Sequence, residues 1–444
     1  MKKIIVAGGG HGGIAAASLL SAKGFDVTVF EKSPEGKLGY DWTDIFAPGA
    51  LKEVSMPMPP KDKYKHKENM TFYGPSMKTA LKQSIPADKL EIQMERNDIY
   101  NHIISEAEKN GASFVYDCEI TAPVMAGSRV IGIDTSKGRF YGDLIIDACG
   151  LNSPLRNNLP EMCGINAEIG ENNRFYVYRA FYNREDALQP DDKFRIYMYS
   201  QGKLGIGWVA CEDEYTDILI GRFEPFDIEE VERTADFYRE SNPSLGRTLL
   251  RGGSFAQIPV RQPLSRLVCD GYAAIGDSAY MTVPVIGSGM ANCFKAAKML
   301  SNVIEKDNFG EYTTETLWEY QREYYNKLGN GFAVLACLKE ALTILTPEEL
   351  DYLFDSGAIT AGDMSIDSEC TTLADIFSGG SFDDFKTKIT TVIKNPVLLK
   401  KVLRVIKKAS AIIAVTTVLP KEYTPKSCAR WVESYEKAIH ASIK

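Results

Sequence analysis

The chain has 444 residues, 44% of them hydrophobic and 25% charged, which is too much for one core and predicts two or three globular domains. A net charge of −8 excludes a broadly basic surface, so nucleic acid is not an expected partner. Nine scattered cysteines without a C-x-x-C pair, and four separated histidines (His11, His66, His102 and His440), provide neither a disulfide framework nor metal-ligand spacing. No secretory signal opens the chain and no segment reaches the ~18 consecutive apolar residues of a membrane span, so a cytoplasmic protein is expected.

The first element is an apolar strand, Lys3 to Ala7, running into Gly8, Gly9, Gly10, His11, Gly12 and Gly13, and then into a small-residue helix from Ile14. This is the G-x-G-x-x-G turn of a dinucleotide site: Gly8 makes the turn, Gly10 admits a pyrophosphate, Gly13 lets helix and strand pack, and the helix N–H groups face the anion. A second strand, Asp26 to Phe30, ends in Glu31, whose carboxylate suits an adenosine ribose and repels a ribose phosphate. The motif gains weight from its strand-turn-helix setting, because glycine-rich turns alone are common.

From Ser33 to Leu90, prolines and glycines break every long element and predict an excursion with short strands. Lys61, Lys63, Lys65 and Lys67 read as a solvated loop, or as a docking patch for an electron-donor protein. A helix is predicted from Asn97 to Glu108, then a strand near Phe114 to Tyr116. A β-meander through Arg129 to Tyr141 follows and leads to the apolar strand at Leu144 to Ile146. Alternating aromatics between Arg174 and Phe223 predict an antiparallel sheet, packed on itself or lining a pocket for a large apolar ligand. A helix from Asp227 to Glu240 precedes Pro243, and a return to the nucleotide fold is expected at Ile258 to Arg261. Beyond Gly331 the pattern is helical. Lys386, Lys388, Lys394, Lys400, Lys401, Arg404, Lys407 and Lys408 interleave there with Ile389, Ile393, Val397 and Leu403, ahead of an apolar Ala409 to Leu419. The segment 386–419 suits either an anionic membrane surface or a helical cap on its own domain.

A second constellation lies far downstream: a strand to Ile275, Gly276-Asp277, then Pro284, Gly287, Gly289 and Met290 opening an Ala-containing helix. Asp277 suits a ribityl chain, and the helix start offers N–H donors to a carbonyl that gains charge on reduction. Together the two motifs resemble the flavoprotein superfamily of p-hydroxybenzoate hydroxylase and, more closely, the geranylgeranyl reductase family. That resemblance implies FAD. Gly8, Gly10, His11, Gly12, Gly13 and Glu31 would hold its adenylate half, and Asp277, Gly287, Gly289 and Met290 its flavin half. It also places Arg96 near the phosphates and the Ile120 backbone at the adenine.

The chain departs from the hydroxylase pattern at Asp147-Ala148-Cys149-Gly150, where an Asp-Gly pair is usual, and Trp208 stands without the W-x-W-x-I-P motif of halogenases. The resemblance therefore implies an α/β protein: a Rossmann-like FAD domain with a β-meander (1–160 and 256–330), an antiparallel-sheet substrate domain (161–255) and a helical C-terminal region (331–444). The expected activity is reduction of a C=C bond in an apolar, isoprenoid- or lipid-like small molecule. A monooxygenase and a non-catalytic electron-relay or membrane-bound flavoprotein are the alternatives. With no second dinucleotide turn, the reductant is either NAD(P)H or a donor protein. Asp41 and Tyr280 are the candidate proton donors, each equally suited to satisfying backbone groups.

Overall fold

The computed structural model describes residues 2–165, 169–170, 172–185, 192–307, 309–364, 388 and 390–443. The core sheet orders its strands Val268–Cys269, Tyr272–Ala274, Leu144–Asp147, Lys3–Ala7, Asp26–Phe30 and Ser113–Val115. All pairings are parallel except the Val268–Cys269 hairpin, and the inner strands are mostly apolar because both faces are covered. Strand order reverses beside Lys3–Ala7, and the glycine turn leaves the sheet at this switch point. A three-stranded meander, Ile120–Ala126, Arg129–Thr135 and Gly138–Tyr141, leads into Leu144–Asp147 as the sequence predicts.

The second sheet is larger than expected and is mixed rather than antiparallel. Its seven strands run Leu245–Pro259, Arg174–Arg184, Tyr215–Arg222, Gly205–Cys211, Phe194–Met198, Met70–Tyr73 and Ala80–Lys82, and Phe194–Met198 pairs parallel with Met70–Tyr73. The excursion after Ser33 thus supplies the last two strands at one end of the sheet, both too short to show an alternation. The far edge strand continues past residue 255, so Ile258 and Pro259 still belong to this sheet and Arg174 lies opposite Pro259. A third small sheet, Thr43–Phe46, Ile92–Glu95 and Tyr64–His66, forms the rest of the excursion. Lysines expected in a solvated loop are engaged there. Lys63 pairs with Asp98, Lys65 with Glu212, and buried Lys67 with Glu91 at 2.7 Å.

Period-two alternation divides the aromatics of the seven-stranded sheet between two jobs. Tyr178, Ala180 and Tyr182 pack on the helix Ile228–Ser241, whose start is capped by the Asp227 carboxylate. Phe175, Val177 and Arg179, on the other face of the same strand, turn toward the nucleotide domain. The C-terminal helices Thr314–Tyr324, Asn330–Thr343, Pro347–Asp355, Pro396–Thr416 and Pro425–Ile439 close over this junction. Buried Trp318, Tyr325, Trp431 and Tyr435 lock them to the core. Among the described residues no single helix is long and apolar enough to cross a membrane.

Candidate active site

The two glycine motifs, remote in sequence, open onto one cavity. Helix His11–Ala22 starts at Gly10 and helix Met290–Lys306 starts at Gly289, and neither start carries a side-chain cap, so the leading N–H groups of both remain available. The helices meet where Gly12 presses on Cys293; a Cβ on Gly12 would lie 3.0 Å from the Cys293 Cβ. Gly12 therefore serves helix packing as well as the cavity wall. Gly8 is fixed by its own surroundings, with φ +100° and the Ala148 carbonyl oxygen 2.4 Å from where a Cβ would sit. Gly10 is different: its backbone is extended, and a Cβ there would meet nothing of the protein nearer than the Ala148 oxygen at 3.5 Å.

The cavity, about 1290 Å³, is lined by Gly10, His11, Gly12, Gly13, Arg96, Asp277, Gly287, Gly289 and Met290 of the residues singled out in the sequence. Gly8, Glu31 and Ile120 lie behind its wall. Glu31 accepts the Gly9 N–H at 2.7 Å and the Ser33 N–H at 2.8 Å, which fixes its carboxylate beside the turn. Ile120 opens the meander strand next to Cys118, whose N–H donates to the Glu31 carbonyl. Arg96 donates to both oxygens of Asp44, at 2.7 and 2.5 Å, and sits 5.4 Å from the Trp42 ring. Burial opposes the Asp44 charge, yet the adjacent guanidinium holds its carboxyl below the ordinary range.

His11 stacks on Tyr100, ring centroids 4.4 Å apart, and burial lowers its pKa to about 4, so the imidazole is neutral. Asp277 accepts from the Thr282 hydroxyl at 2.6 Å, and burial raises its pKa. Across the cavity, Arg179 donates to both oxygens of Asp217, at 3.0 and 2.6 Å, and to Thr43, orienting its guanidinium 5.2 Å from the Trp208 ring.

Neither sequence-derived proton donor reaches the cavity. Asp41 points outward, its side chain 63% exposed and paired with Arg251 at 2.9 Å, in irregular chain whose neighbours Tyr40 and Trp42 line the cavity instead. Tyr280 is wholly buried, its ring held by the guanidinium groups of Arg156 and Arg261 at 4.6 and 4.4 Å. Its role is packing. A group that the sequence reading missed does reach the cavity: Lys339 on helix Asn330–Thr343 donates to the Asn172 carbonyl at 2.6 Å and to Asn173 Oδ1 at 3.1 Å. Burial brings its pKa down to about 8. Nothing local marks it, since it is one lysine in an apolar helix.

The residues present fit FAD. Three buried polar atoms on the cavity wall, His11 Nε2 and the indole nitrogens of Trp42 and Trp208, have no hydrogen-bond partner among the described residues, and buried polar groups are rarely left so. Two uncapped helix starts, room at Gly10 where only a ligand demands glycine, and a fixed carboxylate at Glu31 complete a cradle for a dinucleotide with an anionic middle.

Comparisons with known proteins agree with this geometry. Residues 6–56 match the family model of an NAD(P)-binding Rossmann-like domain, and residues 254–354 match that of squalene epoxidase. A digeranylgeranylglycerophospholipid reductase of Sulfolobus acidocaldarius is 23% identical over 368 residues, covering 79% of both chains. Among solved structures, a geranylgeranyl bacteriochlorophyll reductase-like protein from Thermoplasma acidophilum superposes with a TM-score of 0.73 at 18% identity, covering 89% of this chain and 99% of that one. PqsL, a probable FAD-dependent monooxygenase from Pseudomonas aeruginosa, gives 0.58 at 17% identity over 80% of this chain and 99% of its own. Fold and site together define an FAD-dependent oxidoreductase. Within that class the chain is similar to the digeranylgeranylglycerophospholipid reductases.

Proposed function

We propose that the protein saturates C=C bonds of a long apolar molecule of isoprenoid or lipid type. The observation that carries this reading is the cavity's extent beyond the two glycine motifs. Its volume exceeds the roughly 300–1,000 Å³ usual for a single-ligand pocket. Past Gly287 it continues between Phe72, Ile196, Leu204, Trp208, Leu342 and Leu399, a wall with few polar groups. FAD accounts for one end, and an apolar chain suits the other. The curated relatives named for digeranylgeranylglycerophospholipid reduction are matched over most of their length.

FAD, when bound and reduced by NAD(P)H or a carrier protein, would supply the hydride equivalent for one alkene carbon, and the neighbouring carbon would need a proton from the chain. The chain's residues do the rest. The aromatic wall excludes water and aligns the alkene, Gly10 and Gly289 expose helix N–H groups, and the Arg179–Asp217 pair fixes Thr43 and the floor beside Trp42. We assign the proton to Lys339. It is protonated below about pH 8, so turnover is expected to fall as pH rises through that value. Lys339→Met should slow alkene reduction by roughly 100-fold, within the range for general acids, without changing the rate at which dithionite reduces the bound flavin. A Lys339→Met variant with full activity and the same pH profile overturns the assignment.

The class of reaction has its own test. Holoprotein reduced without oxygen and mixed with a polyprenyl lipid should regain oxidised-flavin absorbance and give product heavier by two hydrogens per double bond. The squalene epoxidase match motivates the opposite outcome, in which reoxidation and product require oxygen and the product carries an oxygen atom. That result would replace the reductase with a monooxygenase.

A further inference from the structure

We propose that helix Pro396–Thr416 seats the protein on an anionic lipid bilayer, with the cavity mouth against the surface. The bilayer as the source of substrate rests on the reading above; the docking does not. The helix has no acidic residue and five basic ones in a chain whose net charge is −8. Two of the five are spent inside: Lys401 donates to Glu349 and to the Ile344 carbonyl, and Lys408 donates to Glu340. Among the described residues, Lys400, Arg404 and Lys407 form no ion pair.

Leu398, Lys408, Ile412 and Thr416 define the buried side. On the outer side Leu403, Ile406 and Ile413 share one exposed stripe, bordered by Lys400, Arg404 and Lys407; Val397 at the helix start, Ile393 before the helix and Val418 after it are exposed as well. Exposed side chains of this size in one row are unusual on a folded surface and mark an interaction site. Leu403 and Ile406 do two things at once: each is more than half exposed, and each lines the cavity with Val392, Ile393, Leu399 and Val402. The apolar row is therefore the rim of the mouth, with cations beside it at helical spacing.

Charge selects the occupant. A second copy of the same face would set Lys400, Arg404 and Lys407 against themselves, whereas an anionic bilayer takes the cations at its headgroups and the apolar row beneath them. Lys386 and Ile389, at the start of the basic segment, lie outside the described residues, and Lys388 is turned inward, paired with Asp363.

The test uses full-length holoprotein floated with vesicles of phosphatidylcholine alone or with added phosphatidylglycerol. Binding is expected only to the anionic vesicles, weakened roughly 100-fold or more in a Lys400→Glu, Arg404→Glu, Lys407→Glu variant, at about fivefold per cation near a charged surface. An Ile413→Ser variant should bind the anionic vesicles more weakly than wild type and detach at a lower salt concentration, because charge and the apolar stripe act together. The charge-reversed variant should still turn over detergent-dispersed lipid while failing on lipid presented in vesicles. Equal binding to both vesicles, no binding to either, or an unchanged charge-reversed variant overturns the proposal; capture of an acidic protein without vesicle binding would point to a protein partner instead. If wild type binds vesicles but reduces no lipid in detergent, the substrate reading fails and the docking stands.

Discussion

Gly10→Val is expected to purify folded and colourless. The backbone at Gly10, φ −70° and ψ 165°, is one that valine adopts freely, and the protein leaves the space beside it open to 3.5 Å. The added methyls fall on the side from which the cavity approaches the helix start, so they obstruct the ligand and not the fold. Overpacking of this kind costs about 1–3 kcal/mol, which predicts FAD binding weakened roughly 5- to 160-fold and a circular dichroism melting curve of the apoprotein like that of wild type. Gly8→Val is the contrasting case. A left-handed φ of +100° and a carbonyl 2.4 Å from the new Cβ force the turn itself to move, and the variant is expected to lose at least about 3 kcal/mol and accumulate insoluble. If Gly10→Val stays yellow, the first motif does not hold the diphosphate; if it fails to fold, the glycine serves the chain and not a ligand.

The contrast also shows which parts of the site were legible from sequence. Gly8, Gly13 and the strand around them form a local pattern, with donors, turn and helix start contiguous in the chain, so their geometry follows from their order. Gly276 to Met290 repeats that situation. Side-chain direction in irregular chain does not follow from order: Asp41 and Asp44 are near neighbours, yet one faces solvent and the other Arg96. Tyr280 follows the acidic turn, where a proton donor is chemically reasonable, and a left-handed backbone at φ 58° swings it into the core between two arginines. Arg179 and Trp208 come together only when the strands of the second sheet assemble, and Lys339 reaches the cavity only on a C-terminal helix remote in sequence. The strands Met70–Tyr73 and Ala80–Lys82 are too short for period-two alternation to register, so the mixed character of that sheet was hidden.

Asp147→Leu is expected to be the most damaging single change outside the glycine turns. The departure at Asp147 to Gly150 first draws attention to Cys149, but that thiol only donates to the Ala7 carbonyl at 3.2 Å. The carboxylate of Asp147 ties the end of the central strand to the second motif. Completely buried at the end of the central strand, it accepts from the Cys149 N–H at 3.0 Å and the Ser278 hydroxyl at 2.9 Å on one oxygen, and from the hydroxyls of Ser153 at 2.5 Å and Tyr272 at 2.7 Å on the other. Ser278 belongs to the turn that presents Asp277, and Ser153 caps the short helix whose Arg156 reaches the Ser278 carbonyl. Leucine leaves four buried donors facing hydrocarbon. Hydrogen bonds to a charged group contribute about 1.5–3 kcal/mol each and do not add fully, so a loss of about 4 kcal/mol or more is expected from a total that is typically 5–15. Asp147→Asn separates charge from connectivity. Its amide oxygen still accepts, and the Ser153 and Tyr272 hydroxyls can rotate to accept from its NH₂, so a loss nearer 2 kcal/mol is expected, with FAD retained. Urea unfolding of both variants with and without FAD reads the difference. If leucine is tolerated as well as asparagine, the second motif is held in place by packing alone, and the Asp147 carboxylate is not what brings Asp277 to the cavity.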